Sequence, residues 1–434
     1  MTFQMILALG ILIVMLLFIM LDVMPFGAPP LFASVLIVIA GTLFGADWEV
    51  QWDIPYAFSG FTNATVWMVA FFMVVLAALQ KTRLIGRIKG VMRSLVERGG
   101  FKSYVLLVLV VMAGAILMGN TTGYYVLVLS LVTTIPYSKK LPTSKLLMPL
   151  GFATGNPIVA VNVAFYYALA VSVLEAAGFT GEIDMTGFMV MSTIASLGFL
   201  AWCVIGYRVL PDHEVEGAAE DQVATSDVKN SEIPVWQEYL TVVAFIVSVV
   251  AMMMLNSLGN IGYIAPGICA FVLLLAKVVN FKEMREGIFS PLILMMAGVI
   301  PVANALADSG LTALIGSSVA GVIGAGAPPF AIVLVFAVLT SVCASFTGSN
   351  IGSAFIFAPV AIATCMSLGL NPSAVAAAVV ASAWCGGFMP VDGLPAMILG
   401  MGKYSMQEFW AFSVPMYIVK IVALSAGAVI AFPM

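Results

Sequence analysis

Uninterrupted apolar runs constrain this chain more than any other feature. From Met5 to Leu21 no residue carries a charge, and comparable stretches recur to the C-terminus. About 20 apolar residues in a row suffice to cross a bilayer as a helix, which satisfies every backbone polar group internally. Composition agrees, with 62% hydrophobic and 9% charged residues and a mean hydropathy of +1.12, where a soluble globule carries about 25% charged residues. The chain reads as an all-α polytopic membrane protein whose solvent is the lipid bilayer. The opening MTFQ lacks Lys and Arg, so the first run is expected to be a span rather than a cleaved signal peptide.

The same composition removes several function classes. A single histidine, His213, sits in a polar loop, which leaves no basis for His-based metal sites or for Ser/His and Cys/His catalysis. The five cysteines (Cys203, Cys269, Cys343, Cys365, Cys385) fall in apolar stretches without metal-ligand spacing and read as small packing residues. There is no P-loop. No catalytic residue is assigned, and neither an enzyme nor a nucleic-acid partner is expected. The formal net charge of −4 carries little, because basic residues act here as topology signals.

Those signals are clustered. Lys81 to Lys102 form one basic block, and Lys139, Lys140 and Lys145 a second. Arg208 and Lys229 mark a polar loop with seven acids against two bases, and Lys277, Lys282, Arg285 and then Lys403 follow. Placing each block on the cytoplasmic side forces the intervening segments to return there. Between Lys102 and Lys139 lie 36 residues, whereas two full crossings need about 40 apolar residues and a turn. A re-entrant hairpin over about 103–136 fits, its tip near Met118-Gly119-Asn120-Thr121-Thr122-Gly123. A pair of short full spans is the plainer alternative, and charge does not separate the two. Lys145 to Glu175 is too long for one straight span and is interrupted at Thr154-Gly155-Asn156-Pro157, where Gly and Pro break helical hydrogen bonding. A broken helix over about 145–175 follows.

The second half repeats this order. LPTS (141–144) is echoed by LNPS (370–373), and a second hairpin is expected over about 328–367 with its tip at GSNIGSAF (348–355). A second broken helix, about 371–403, is interrupted at Gly386-Gly387 and Met389–Pro395. The expected organisation is a first repeat, 1–207, a cytoplasmic linker, 208–235, and a second repeat, 236–434. Each repeat has five spans and one hairpin, so the two would have opposite orientation, as in many secondary transporters. The protein would sit in the cell's inner (plasma) membrane as a multi-pass protein with both termini outside.

Irregular backbone at membrane depth is tolerated where it lines a cavity or is buried in protein. Tips and breaks together offer helix N-termini to an anion and carbonyl or hydroxyl oxygens to a hard cation. Isolated small residues would more often be packing devices. Two Asn-containing interruptions at equivalent places favour a binding site. Lys420, alone in the last apolar run, is given no role, and no Lys or Arg is expected near the tips. Asp392 is either a coupling residue or an acid wetted by its nearness to the surface. The stretch 83–98 reads as an interfacial amphipathic helix.

GFTNATVWMVAFFMVVLAALQKTRLIGRI (60–88), LPTSKLLMPLGFA (141–153), FTGSNIGSAFIFAPVA (346–361) and MPVDGLPAMILGMGKYSMQEF (389–409) resemble, in order, segments of the divalent anion/sodium symporter family within the ion-transporter superfamily. The resemblance implies a homodimeric, elevator-type transporter that couples Na⁺ to uptake of small organic di- or tricarboxylates or sulfate. It implies substrate contacts at Asn120, Thr121, Thr122, Gly155, Asn156, Pro157, Ser349, Asn350, Gly352, Ser353, Gly393 and Pro395. For Na⁺ it implies Ser345, Gly348, Asn350, Met389, Asp392, Asn120 and Gly119. Na⁺ is the one coupling ion expected, with no other cofactor. The first tip lacks the family's serine and has Ala115 at another hydroxyl position, and Ile351 removes a hydroxyl from the second. These departures leave an H⁺-coupled carrier or exchanger of a sulfate- or sulfonate-type anion as the alternative, ahead of a passive channel.

Overall fold

The computed structural model describes residues 2–20, 23–25, 27–83, 90–92, 94–96, 98–118, 122–133, 141–161, 163–179, 181, 183–213, 233–323, 326–390 and 393–434. Among these there is no strand. The first half holds α1 (Phe3–Met20), α2 (Ala28–Phe44), α3 (Ala64–Leu79), α4 (Gly100–Met118), α5 (Thr122–Thr133), α6 (Thr143–Ala153), α7 (Ala164–Ala176) and α8 (Met185–Ile205). The second half holds α9 (Val235–Met253), α10 (Asn260–Leu275), α11 (Pro291–Asp308), α12 (Leu311–Ile323), α13 (Pro329–Thr347), α14 (Asn350–Ser367), α15 (Ser373–Ser382), α16 (Gly393–Gly402) and α17 (Met406–Ala431). Among the described residues, seven helices are long and apolar enough to cross a membrane, and seven apolar helices are shorter.

Polar residues at the ends of apolar runs set the boundaries. Asn63 accepts from the Thr65 and Val66 amides to start α3, and Asp184 caps α8 through the Thr186 amide. Ser405 and Glu408 form a reciprocal capping box at the start of α17. Each satisfies donors that the first helical turn leaves free.

Helix pairing carries a twofold-like relation. α2 packs on α11 as α10 packs on α3, and α1 packs on α2 as α9 packs on α10. α6 packs on α16 as α15 packs on α7. α4 and α5 flank α6 as α13 and α14 flank α15. α8 and α17, equivalent by order, pack on each other. Exchanging the halves therefore exchanges these contacts.

The charged groups separate to the two ends of the bundle. Lys81 Nζ lies 2.6 Å from Glu283 Oε2, and Arg83 Nε lies 3.5 Å from Glu238 Oε1. Lys145 Nζ lies 2.9 Å from Asp212 Oδ2, and the His213 ring is 3.0 Å from the Gly402 carbonyl. Among the described residues, these contacts bring Lys81, Arg83 and Lys145, with both described ends of the linker, to one end of the bundle. At the other end the Tyr56 hydroxyl donates to Asp308 (2.7 Å) and the Asn63 amide to Glu175 (3.3 Å).

Helix length does not separate a second hairpin from a pair of full spans. The arms α13 and α14 have 19 and 18 residues, about 28 Å at 1.5 Å per residue, so length alone permits each to cross. Much of the stretch 83–98, and linker residues 214–232, lie outside the described residues.

Candidate functional site

Each half breaks one helix where the sequence places Gly and Pro. After α6, Thr154 Oγ1 donates to the Gly151 carbonyl (2.6 Å) and the Asn156 side chain donates to the Phe152 carbonyl (2.7 Å). These bonds close the last turn and release the chain. The released segment is tied to its neighbours by Ile158 N–H to the Met112 carbonyl of α4 (3.2 Å) and Ala160 N–H to Thr193 Oγ1 of α8 (3.1 Å). After α15, Gly387 takes φ +85°, a conformation that glycine adopts without a Cβ penalty. A Cβ on Gly386 would collide with the Ser345 hydroxyl of α13, so the second break lies directly against the hairpin arm.

The breaks meet across the halves. A Cβ on Gly387 would stand 3.0 Å from the Phe152 ring of α6. Trp384 makes edge contacts with Phe165 and Tyr166 of α7, with ring centroids 5.4 and 5.0 Å apart.

Between them lies a cavity of about 210 Å³. Its wall takes Gly155 and Asn156 from the first break and Ala383, Trp384, Gly386, Gly387 and Met389 from the second. Tyr125 of α5, Phe152 of α6, Ala344 and Ser345 of α13, Asn350 of α14, Leu394 and Pro395 of α16, and Met416 and Lys420 of α17 complete it. Electrostatically the wall is mixed. The first turns of α14 and α16 bring partial positive charge, and the C-terminal ends of α6 and α15 bring carbonyl oxygens. A second cavity of about 80 Å³ shares Gly155, Asn156, Trp384 and Lys420, and adds Pro157, Ala115 and Ser192 among others.

The predicted residues divide accordingly. Gly155, Asn156, Ser345, Asn350, Met389 and Pro395 line the larger cavity, and Pro157 the smaller. Gly348 ends α13 in the left-handed conformation (φ +69°). Ser349 is the N-cap of α14 and accepts from the Gly352 amide at 3.2 Å. Ser353 is buried, and its hydroxyl donates to the Ser349 carbonyl at 2.8 Å. These four shape the tip rather than line the cavity. Thr122 and Gly393 are the first residues of α5 and α16. Gly119, Asn120, Thr121 and Asp392 lie outside the described residues.

One expectation is corrected. Lys420 lines the same cavity as Asn350, 9% exposed, so a basic residue does lie beside the second tip. An ionisable residue inside a span was the available signal. The aromatic wall of Tyr125, Phe152 and Trp384 had none, because apolar residues in apolar runs look alike until packed.

A sequence profile described as "citrate transporter" (CitMHS) matches residues 4–354. The chain belongs to the citrate transporter family. Among proteins similar to it is the uncharacterized transporter YfbS of Escherichia coli K12, 29% identical over 192 residues, a match that spans 44% of this chain and 30% of YfbS. Among solved structures, the YdaH transporter of Alcanivorax borkumensis superposes with a TM-score of 0.57 at 18% identity, covering 86% of both chains. MtrF of Neisseria gonorrhoeae, described within a class of antimetabolite efflux pumps, gives 0.63 at 13% identity over 94% of this chain and 95% of its own. At such identities these two share the fold alone. This member of the citrate transporter family is thus a multi-pass membrane protein, and the resemblance read from its motifs falls in the same superfamily.

Proposed function

We propose that this citrate transporter family member is a secondary active carrier of small organic di- or tricarboxylates, coupled to Na⁺. The observation that carries the reading is the convergence of two helix breaks and one hairpin tip on a single cavity. A bound solute is a reason to place helix-end polarity along a cavity inside an apolar bundle. The Asn350 amide and the first turns of α14 and α16 suit carboxylate oxygens. The Ser345 hydroxyl and the carbonyls near Gly155 and Gly386 suit Na⁺, which prefers oxygen ligands.

The basic end of the bundle is taken as cytoplasmic, which puts both termini outside and the repeats in opposite orientation. Alternating access would then follow from movement of α4–α8 and α13–α17 against α1–α3 and α9–α11, in the elevator manner, within a homodimer. The bundle of symmetric contacts supports such a division.

The test is uptake of labelled citrate and succinate into proteoliposomes under an imposed Na⁺ gradient, an imposed pH gradient, or neither. Saturable uptake driven by Na⁺ is expected. Uptake driven by pH alone would transfer the coupling to H⁺, the second reading, which Lys420 favours because a resident cation lessens the need for a bound one. Uptake that responds to neither gradient removes symport altogether.

A further inference from the structure

The geometry points to Lys420 as the side chain that neutralises one negative charge of the transported anion, an assignment that rests on the carrier reading above. Lys420 is buried in α17, and its side chain reaches the wall shared by both cavities, beside Asn156 and Trp384. Among the described residues its ammonium makes no ion pair and no hydrogen bond. The described residues lining the two cavities include no Asp or Glu, and their other titratable groups are Tyr125, Tyr166 and Cys385.

A buried charge without a partner is strongly disfavoured, and an ammonium brings three donors that want acceptors. A ligand that carries its own negative charge supplies both. Lys420 would act as a point charge on one carboxylate, while Asn350 and the N-terminal turns of α14 and α16 address the other. The ligand class that follows is an anion with at least two carboxylates.

Affinities of the purified full-length chain for citrate, succinate and butyrate, at fixed Na⁺ and pH, test this assignment. In the wild type, citrate or succinate should bind at least ten-fold more tightly than butyrate. Lys420→Gln should weaken the polycarboxylates ten-fold or more and butyrate little, and Lys420→Arg should keep most of the affinity. The empty Lys420→Gln protein should melt at or above the wild-type temperature, whereas a lysine that only packs α17 would lower it on removal. Wild-type binding that Lys420→Gln leaves unchanged overturns the assignment alone. Wild type that binds none of the three removes the carrier reading and the assignment with it. Recovery of affinity in Lys420→Gln/Asp392→Asn would give the lysine an internal partner and also overturn the assignment.

Discussion

Gly387 of the second break stands against the ring of Phe152, which lies one residue before the end of α6 in the first half. At φ +85° the glycine has no Cβ to strain, and an added Cβ would come 3.0 Å from the ring. The two halves thus touch, at the cavity, through a residue where both the backbone conformation and the neighbouring ring disfavour a side chain.

Gly387→Ala should therefore cost about 1–2 kcal/mol from the left-handed backbone alone. The loss should appear as a lower melting temperature with reduced uptake, and Phe152→Leu in the same chain should recover part of the uptake, since it relieves the contact but not the backbone. Full recovery of stability in the double variant would show that the ring, and not the backbone, sets the cost.

Asn350 stands in the first turn of α14 and faces the cavity. A hydrogen bond to a charged group contributes about 1.5–3 kcal/mol, so Asn350→Ala should weaken anion binding by about 10- to 100-fold. Asn350→Asp, which sets a negative charge beside the anion, should abolish it. Titration calorimetry on the two variants checks both, with equal melting temperatures as the control for folding.

Ser345 and Gly386 are in contact at the hairpin arm. If the oxygens there hold Na⁺, Ser345→Ala should raise the Na⁺ concentration for half-maximal uptake several-fold while saturating Na⁺ restores the rate. Unchanged Na⁺ dependence would move the cation elsewhere.

Gly298 of α11 lies where a Cβ would sit 2.7 Å from Pro30 of α2. Overpacking costs about 1–3 kcal/mol, so Gly298→Ala should lower the melting temperature. Anion affinity should not change, because this contact lies among helices that contribute no residue to either cavity.

The charge segregation makes a topological prediction. Glu49 and Lys282 are exposed and sit toward opposite ends of the bundle. Single cysteines at these positions, in a chain otherwise free of cysteine, should react with an impermeant maleimide from opposite sides of the membrane. Labelling from one side would refute the orientation.

Much of the plan was legible in the chain itself. Apolar runs about 20 residues long, with charge confined between them, leave only helices in a bilayer. Gly155-Asn156-Pro157 and Gly386-Gly387 announce breaks because local backbone chemistry decides where a helix stops. Asn350 was findable because a polar residue in an apolar run stands out. Tertiary structure alone decided which interruptions meet. That α6 faces α16, that Gly387 faces Phe152 and that Asn350 lines the cavity depend on contacts between residues far apart in sequence. Lys420 shows the difference most clearly. In the chain it is the one basic residue of a 26-residue helix; only the packing of α17 against α8, α13 and α15 brings it to the cavity wall.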